Sequence, residues 1–180
     1  FVPEGILMRR AKGTTPYALT HAEDFPAAKI IETAEWATSR NPEDFSRLID
    51  RFESDEPAIR YWVATGCAIM NEEAREVVPQ LKAMLDDAYA NNQIAAAEAL
   101  CRLGITERPL QVLVKAMDYK NPKVQLHAVN VLRALGDIAK PVEKQLFGLS
   151  PWKERETYFE HIHRQLIKNL KPGWGDYMSW

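Results

Sequence analysis

The chain has 180 residues, 46% of them hydrophobic and 27% charged, with a formal net charge of −2. This is enough apolar material for one sizeable core or a short array of repeats. The near-balance of charge excludes a general pull toward nucleic acid or an anionic membrane, and no apolar run approaches the roughly 18 residues needed to span a bilayer.

The opening Phe1-Val-Pro-Glu-Gly has no initiator Met and no basic stretch leading into an apolar one, so it does not read as a signal peptide. Phe1 is expected to lie inside a longer natural chain. Residues 1–23 hold no sustained period. Pro3, Gly5, Gly13 and Pro16 interrupt any long element, and Met8 to Lys12 should form at most a short turn. Yet the segment carries Phe1, Ile6, Leu7, Met8, Tyr17 and Leu19, too many apolar side chains for a solvated linker. We expect an extended arm that packs on the rest of the chain or on a neighbouring domain.

From residue 24 the pattern is helical. Asp24 suits the cap of a helix facing inward through Ala27, Ile30, Ile31, Ala34 and Ala37 or Thr38. Asn41-Pro42 starts a second, with Phe45, Leu48, Ile49 and Phe52 on one face. After a polar turn, Pro57 opens a third with Ile59, Val63, Gly66, Cys67 and Met70 inward. Gly66 costs about 1 kcal/mol relative to Ala in a helix, so close approach of a neighbour is expected there. Val77, Val78, Leu81, Met84, Leu85 and Ala88 mark the fourth, delayed or bent by Pro79. Asn91-Asn92 reads as the next turn, followed by an Ala-rich helix from Gln93 to Leu103 that Gly104 stops. Thr106 should cap a helix carrying Leu110, Leu113, Val114 and Met117.

Residues 121–136 mark both their ends: Asn121 suits the N-cap, Pro122 the first helical position and Gly136 a left-handed residue past the end. Val124, Ala128, Val131, Leu132 and Leu135 form one stripe. A shorter helix holds Ile138, Val142 and Leu146, and a last one runs from Ser150-Pro151 through Leu170. The inner stripes recur: the step from Val63 to Ala96 is 33 residues and from Ala96 to Ala128 is 32. A step in the thirties with a helix in each copy predicts an all-α, HEAT-like solenoid of about nine helices in antiparallel pairs. It divides the chain into an arm (1–23), helical repeats (24–170) and an aromatic tail (171–180).

Candidate chemistry is sparse. His161 and His163 sit at i and i+2, about 200° apart on a helix, and so cannot share one metal unaided. His127 falls between two inward positions and reads as a hydrogen-bonded packing residue, and His21 as a cap. Cys67 and Cys101 read as small buried hydrophobes, with a disulfide left open if their Cα atoms lie within about 7 Å. There is no glycine-rich phosphate loop, CxxC pair or HExxH. No catalytic, cofactor-binding or metal-ligating residue is assigned. Arg60-Tyr61-Trp62 would fill a gap between repeats or form a ligand platform, and Trp36 has the same choice. Tyr17 in the arm and Trp174, Tyr177 and Trp180 in the tail are candidate interface residues, because aromatics outside a helical period are exposed unless a surface receives them. Arg9, Arg10 and Lys12 form one basic cluster, and Lys115, Lys120 and Lys123 another.

Several of these stretches carry a resemblance. The arm, Phe1-Val-Pro-Glu, Arg9-Arg10-Ala11-Lys12-Gly13 and Thr15-Pro16-Tyr17, looks like the segment after the catalytic domain in large bacterial sulfatases of the heparan N-sulfatase-like and arylsulfatase-like group. Trp36-Ala-Thr-Ser-Arg-Asn-Pro42 and Asp55-x-Pro57-x-Ile59-Arg60-Tyr61-Trp62 are similar to the HEAT-like repeats that follow it. The resemblance implies a parent enzyme that hydrolyses sulfate esters or sulfamates with a calcium ion and a formylglycine made within C/S-x-P/A-x-R. Neither cysteine fits that motif: Ala-Ile-Met-Asn follows Cys67 and Arg-Leu-Gly-Ile follows Cys101. The chain is then expected to be a non-catalytic C-terminal module without its own cofactor, partnered by the catalytic domain of the same polypeptide and periplasmic or secreted. The alternatives are a free-standing scaffold that binds a protein partner and a helical-repeat DNA glycosylase. The last would require a continuous basic groove, which these scattered basic residues do not suggest.

Overall fold

The computed structural model describes residues 2–11 and 13–148. Among them every regular element is helical and no strand occurs. Helix α1 spans Glu4–Arg10, α2 Pro16–Thr20, α3 Ala27–Ser39, α4 Pro42–Ile49 and α5 Pro57–Met70. A 3-10 segment, Asn71–Val77, leads into α6, Val78–Met84. Then come α7 (Ala90–Arg102), α8 (Glu107–Ala116) and α9 (Pro122–Leu135), a second 3-10 segment (Gly136–Val142) and α10 (Glu143–Gly148).

The long helices α3, α5, α7 and α9 pack side by side in chain order. The intervening helices back them: α4 lies on α3 and α5, α6 on α7, and α8 on α7 and α9. Small residues permit this spacing. A Cβ on Gly66 would lie 2.3 Å from Leu48 Cδ2 and 3.1 Å from Ala37 Cα, so the glycine marks where α5 meets α3 and α4. The recurring positions Val63, Ala96 and Ala128 are fully buried, as are Cys67, Leu100 and Leu132 one turn later. Burial of these stripes in neighbouring helices is the main apolar driving force for stacking.

Helix ends follow their local chemistry. Asn41 and Asn121 accept hydrogen bonds from Glu43 N at 3.0 Å and Lys123 N at 2.9 Å, each with proline at the next position. Gly104 and Gly136 take positive φ just beyond α7 and α9, as their Cβ-free backbones allow.

Several expectations need correction. Residues 4–10 form a helix rather than a turn in an extended arm, with Glu4 in its first turn and Arg9 and Arg10 in its last, the charge order a helix dipole favours. Residues 16–20 form another, capped by the Thr15 hydroxyl. Helix α3 begins at Ala27 with no side-chain cap, so Asp24 does not start it. Its buried face is Ile30, Thr33 and Ala37, while Ile31 is 53% exposed. Thr33 pairs its hydroxyl with Lys29 O at 2.6 Å, which makes its burial inexpensive. Asn91 and Asn92 lie inside the first turn of α7, not in a turn before it. Thr106 precedes α8 but makes no capping bond. Ile138 is exposed and Ala139 takes the inward place in the 3-10 segment, whose tighter winding shifts the face. The expected helix over 151–170 and the tail lie outside the described residues.

Candidate functional site

Three arm residues, Glu4, Arg9 and Arg10, touch the starts of three long helices. Arg10 pairs with Glu56, the N-cap of α5. Arg9 sets its guanidinium 4.6 Å from the ring centroid of Tyr89, the N-cap of α7. Glu4 meets Lys123 near the start of α9 at 3.0 Å. Ile6 is fully buried between these contacts. Gly5 fits against α7 and α9 because it lacks a side chain: a Cβ there would stand 2.2 Å from Asn91 Oδ1 and 3.1 Å from Val124 Cγ2. The arm thus brings Arg9 and Arg10 to the edge that carries Lys123, uniting parts of two basic clusters that are far apart in sequence.

Glu56 has two duties. One carboxylate oxygen accepts from Ala58 N at 3.1 Å and caps α5, while the other holds Arg10. Four residues on, Arg60 donates to Ser54 O at 2.6 Å and to both carboxylate oxygens of Asp87, at 2.7 and 3.2 Å. Asp87 in turn accepts from Tyr89 N at 2.8 Å, and its own carbonyl accepts from Gln93 Nε2 at 2.6 Å. Arg60 is therefore a tie between α5 and the turn entering α7 rather than a free interface cation.

Beneath the arm lies a half-buried cluster from three helices. Asn91 Nδ2 is 3.1 Å from His127 Nδ1. The His127 ring stands edge-on to Tyr61, centroids 5.9 Å apart, and Tyr61 is edge-on to Trp62 at 5.5 Å. Burial pushes the Tyr61 hydroxyl above its usual range; a hydrogen bond with Thr65 opposes this and the Glu98 carboxylate adds to it. Burial lowers the His127 imidazole to about 4. His127 is the hydrogen-bonded packing residue that its place in α9 predicts. Tyr61 and Trp62 are partly buried and pack against the core from its margin. Trp36 does so as well, with the Arg51 guanidinium 4.0 Å from its ring centroid.

Tyr17 is 72% exposed and stacked on His21 at 4.0 Å, on a helix with no buried residue. His21 Nδ1 also reaches Tyr17 O at 2.8 Å, closing the end of α2 as expected of a cap. Cys67 and Cys101 are buried free thiols, both pushed up to about 12, chiefly by burial. Trp174, Tyr177, Trp180, His161 and His163 lie outside the described residues.

Among the described residues no three His, Cys, Asp or Glu side chains converge as metal ligands, and no helix is long and apolar enough to cross a membrane. Sequence reasoning missed Glu56, Asp87 and Asn91. Asp87 carried a signal, since an aspartate commonly accepts the backbone N–H two residues on, here that of the N-cap Tyr89. Asn91 carried none, because its partner lies 36 residues away. Compared with known proteins, the chain matches no family model and no curated protein.

Proposed function

We propose that this chain is the non-catalytic C-terminal helical-repeat module of a sulfatase, its helix pairs forming a HEAT-like solenoid. In this reading it docks against a catalytic domain of the same polypeptide and frames the substrate there. The calcium and formylglycine of such an enzyme belong to the catalytic domain; neither thiol here has the needed sequence context, and both are buried. A periplasmic or secreted location belongs to the same proposal.

The observation that carries this reading is the Arg10–Glu56 pair. It joins the two stretches that resemble the sulfatase region, the arm motif around Arg9-Arg10-Ala11 and the repeat motif beginning at Asp55. An arm fixed to the ends of several repeats is suited to holding a helical array at a set angle to whatever precedes it. The side-by-side row of α3, α5, α7 and α9 and the recurring buried positions support the solenoid part.

A free-standing scaffold is the second reading, favoured by the exposed apolar side chains Met8, Tyr17, Ile31 and Tyr119. The coding sequence decides between them. A region of several hundred codons upstream, containing C/S-x-P/A-x-R, supports the sulfatase, and a start codon immediately before Phe1 supports the scaffold. Residues 1–180 alone should not turn over an aryl sulfate such as 4-nitrocatechol sulfate, and measured turnover by the purified chain would overturn the module reading.

A further inference from the structure

A cleft of about 310 Å³ opens where the arm meets the starts of α7 and α9. Met8 and Arg9 of the arm line it, together with Tyr89, Tyr119 and Val124. Its arm side is firmly anchored, since Pro3, Ile6 and Ala11 are buried and Val2 packs against the core. Val124 is buried as well, whereas Met8 and Tyr119 are exposed. The cleft therefore joins a fixed apolar wall to two exposed apolar side chains.

Its charge has one sign. Among the described residues Arg9 is the one charged side chain that lines it, and Arg9 has no carboxylate partner there. The guanidinium lies over the Tyr89 ring, 4.6 Å from its centroid. A guanidinium held against a ring still presents its N–H edge to a carboxylate. Lys120 sits in the chain between the lining residues Tyr119 and Asn121. Nearby acids do not offset this charge: Glu4 is taken by Lys123 at 3.0 Å, and Asp118 does not line the cleft. Asn121 commits its Oδ1 to the cap of α9, and its Nδ2, without a partner among the described residues, is a donor for a backbone carbonyl.

We propose that this cleft docks an acidic segment of a partner polypeptide, which inserts one large apolar side chain beside Tyr119 and Met8 and pairs an adjacent carboxylate with Arg9. Pockets that enclose free ligands run from roughly 300 to 1,000 Å³, so a cleft at the bottom of that range has room for a single bulky anchor. Met, Tyr and Arg around such an anchor are the residue types enriched at protein interfaces. The unpaired guanidinium selects Asp or Glu beside it. The surface is the same for a sulfatase module or a free scaffold.

The test is selection of a random dodecapeptide library, displayed on phage, against the full chain, followed by fluorescence anisotropy of the selected peptides. These should share one large apolar residue next to Asp or Glu, and should bind more weakly as salt rises. Arg9→Gln and Tyr119→Ala should each weaken binding by about tenfold or more, as loss of an interface anchor does. Arg108→Gln, at an exposed ion pair on α8, should leave it unchanged. Met8→Ser serves where either cleft variant fails to fold. Selection of no peptide, of peptides without an acidic residue, or of peptides that bind the cleft variants as well as the unaltered chain would overturn the proposal. So would saturation of the Tyr119 ring signals by benzoate alone at the concentrations the peptides require, the mark of a small-molecule site.

Discussion

Arg60 of α5 and Asp87 of the turn before α7 form a two-point ion pair at 2.7 and 3.2 Å, with side chains only 17% and 6% exposed. Removing the arginine leaves a largely desolvated carboxylate that still holds Tyr89 N but has lost its counter-charge. Arg60→Met should therefore destabilise the protein by roughly 3 kcal/mol, more than a surface pair would cost. Replacing both residues, Arg60→Met with Asp87→Asn, should recover part of the loss. Urea midpoints of the two singles and the double measure the coupling.

Gly66→Ala tests the close approach of α5 to α3. Alanine would gain about 1 kcal/mol of helix propensity, but its Cβ would press on Leu48 Cδ2 and on the Ala37 backbone. Leu48 can move; the backbone of α3 moves only with its helix. Overpacking costs typically 1–3 kcal/mol, and we expect a net loss, read as a lower urea midpoint with unchanged slope. A rise in midpoint would show that the two helices have slack.

Asn92 occupies in α7 the position that Ile59 and Val124 hold in α5 and α9, and it is fully buried with neither amide atom hydrogen-bonded among the described contacts. A buried polar group without a partner costs about 1–3 kcal/mol. Asn92→Val should accordingly raise the melting temperature. A clear fall would reveal a polar role for this side chain.

His127 makes stability depend on pH. Its folded-state value is lowered to about 4, against an ordinary value of 6.5. Between these two the unfolded chain binds the proton and the native chain does not, so stability rises with pH across this window. The contribution is complete above about pH 6.5 and is lost progressively as the pH falls toward 4, by an amount on the order of 3 kcal/mol. His127→Gln should flatten the stability profile between pH 4 and 6.5 relative to the unaltered protein. An unchanged slope would remove His127 as the source.

Cys67 and Cys101 should be inert in the native state, since both are buried and both thiols are pushed up to about 12. A thiol reagent such as dithionitrobenzoate should react with neither below pH 8 and with both in denaturant. Rapid reaction of the folded protein would show that α5 and α7 separate readily.

The sequence was most legible where a local rule and a packing rule agree. Asn121, Pro122 and Gly136 bound α9 as their chemistry requires, and the stripe from Val124 to Leu135 is buried throughout. It misled where tertiary contact decides. The helix over Glu4–Arg10 exists although Gly5 disfavours it, because that glycine is what lets the arm approach Asn91 and Val124. Asn91-Asn92 resembles a turn in any window, yet Asn91 is committed to His127 and the chain is already helical there. In the candidate site, the packing role of His127 follows from its place between inward positions, whereas for Tyr61 and Trp62 the pattern leaves gap filling and a ligand platform both open. The ties through Glu56 and Asp87 depend on partners 46 and 27 residues away, beyond the reach of periodicity.

Hydrogen exchange across the arm addresses the account at its centre, which is that residues 4–10 belong to the same folded unit as the starts of α5, α7 and α9. The amides of Leu7 and Ala11, bonded to Pro3 O at 3.2 Å and Leu7 O at 2.8 Å, should be protected and should lose protection together with the first turns of those helices when Ile6 is changed to Asp. Arm amides exchanging at the rate of an unstructured peptide in the unaltered protein would contradict it.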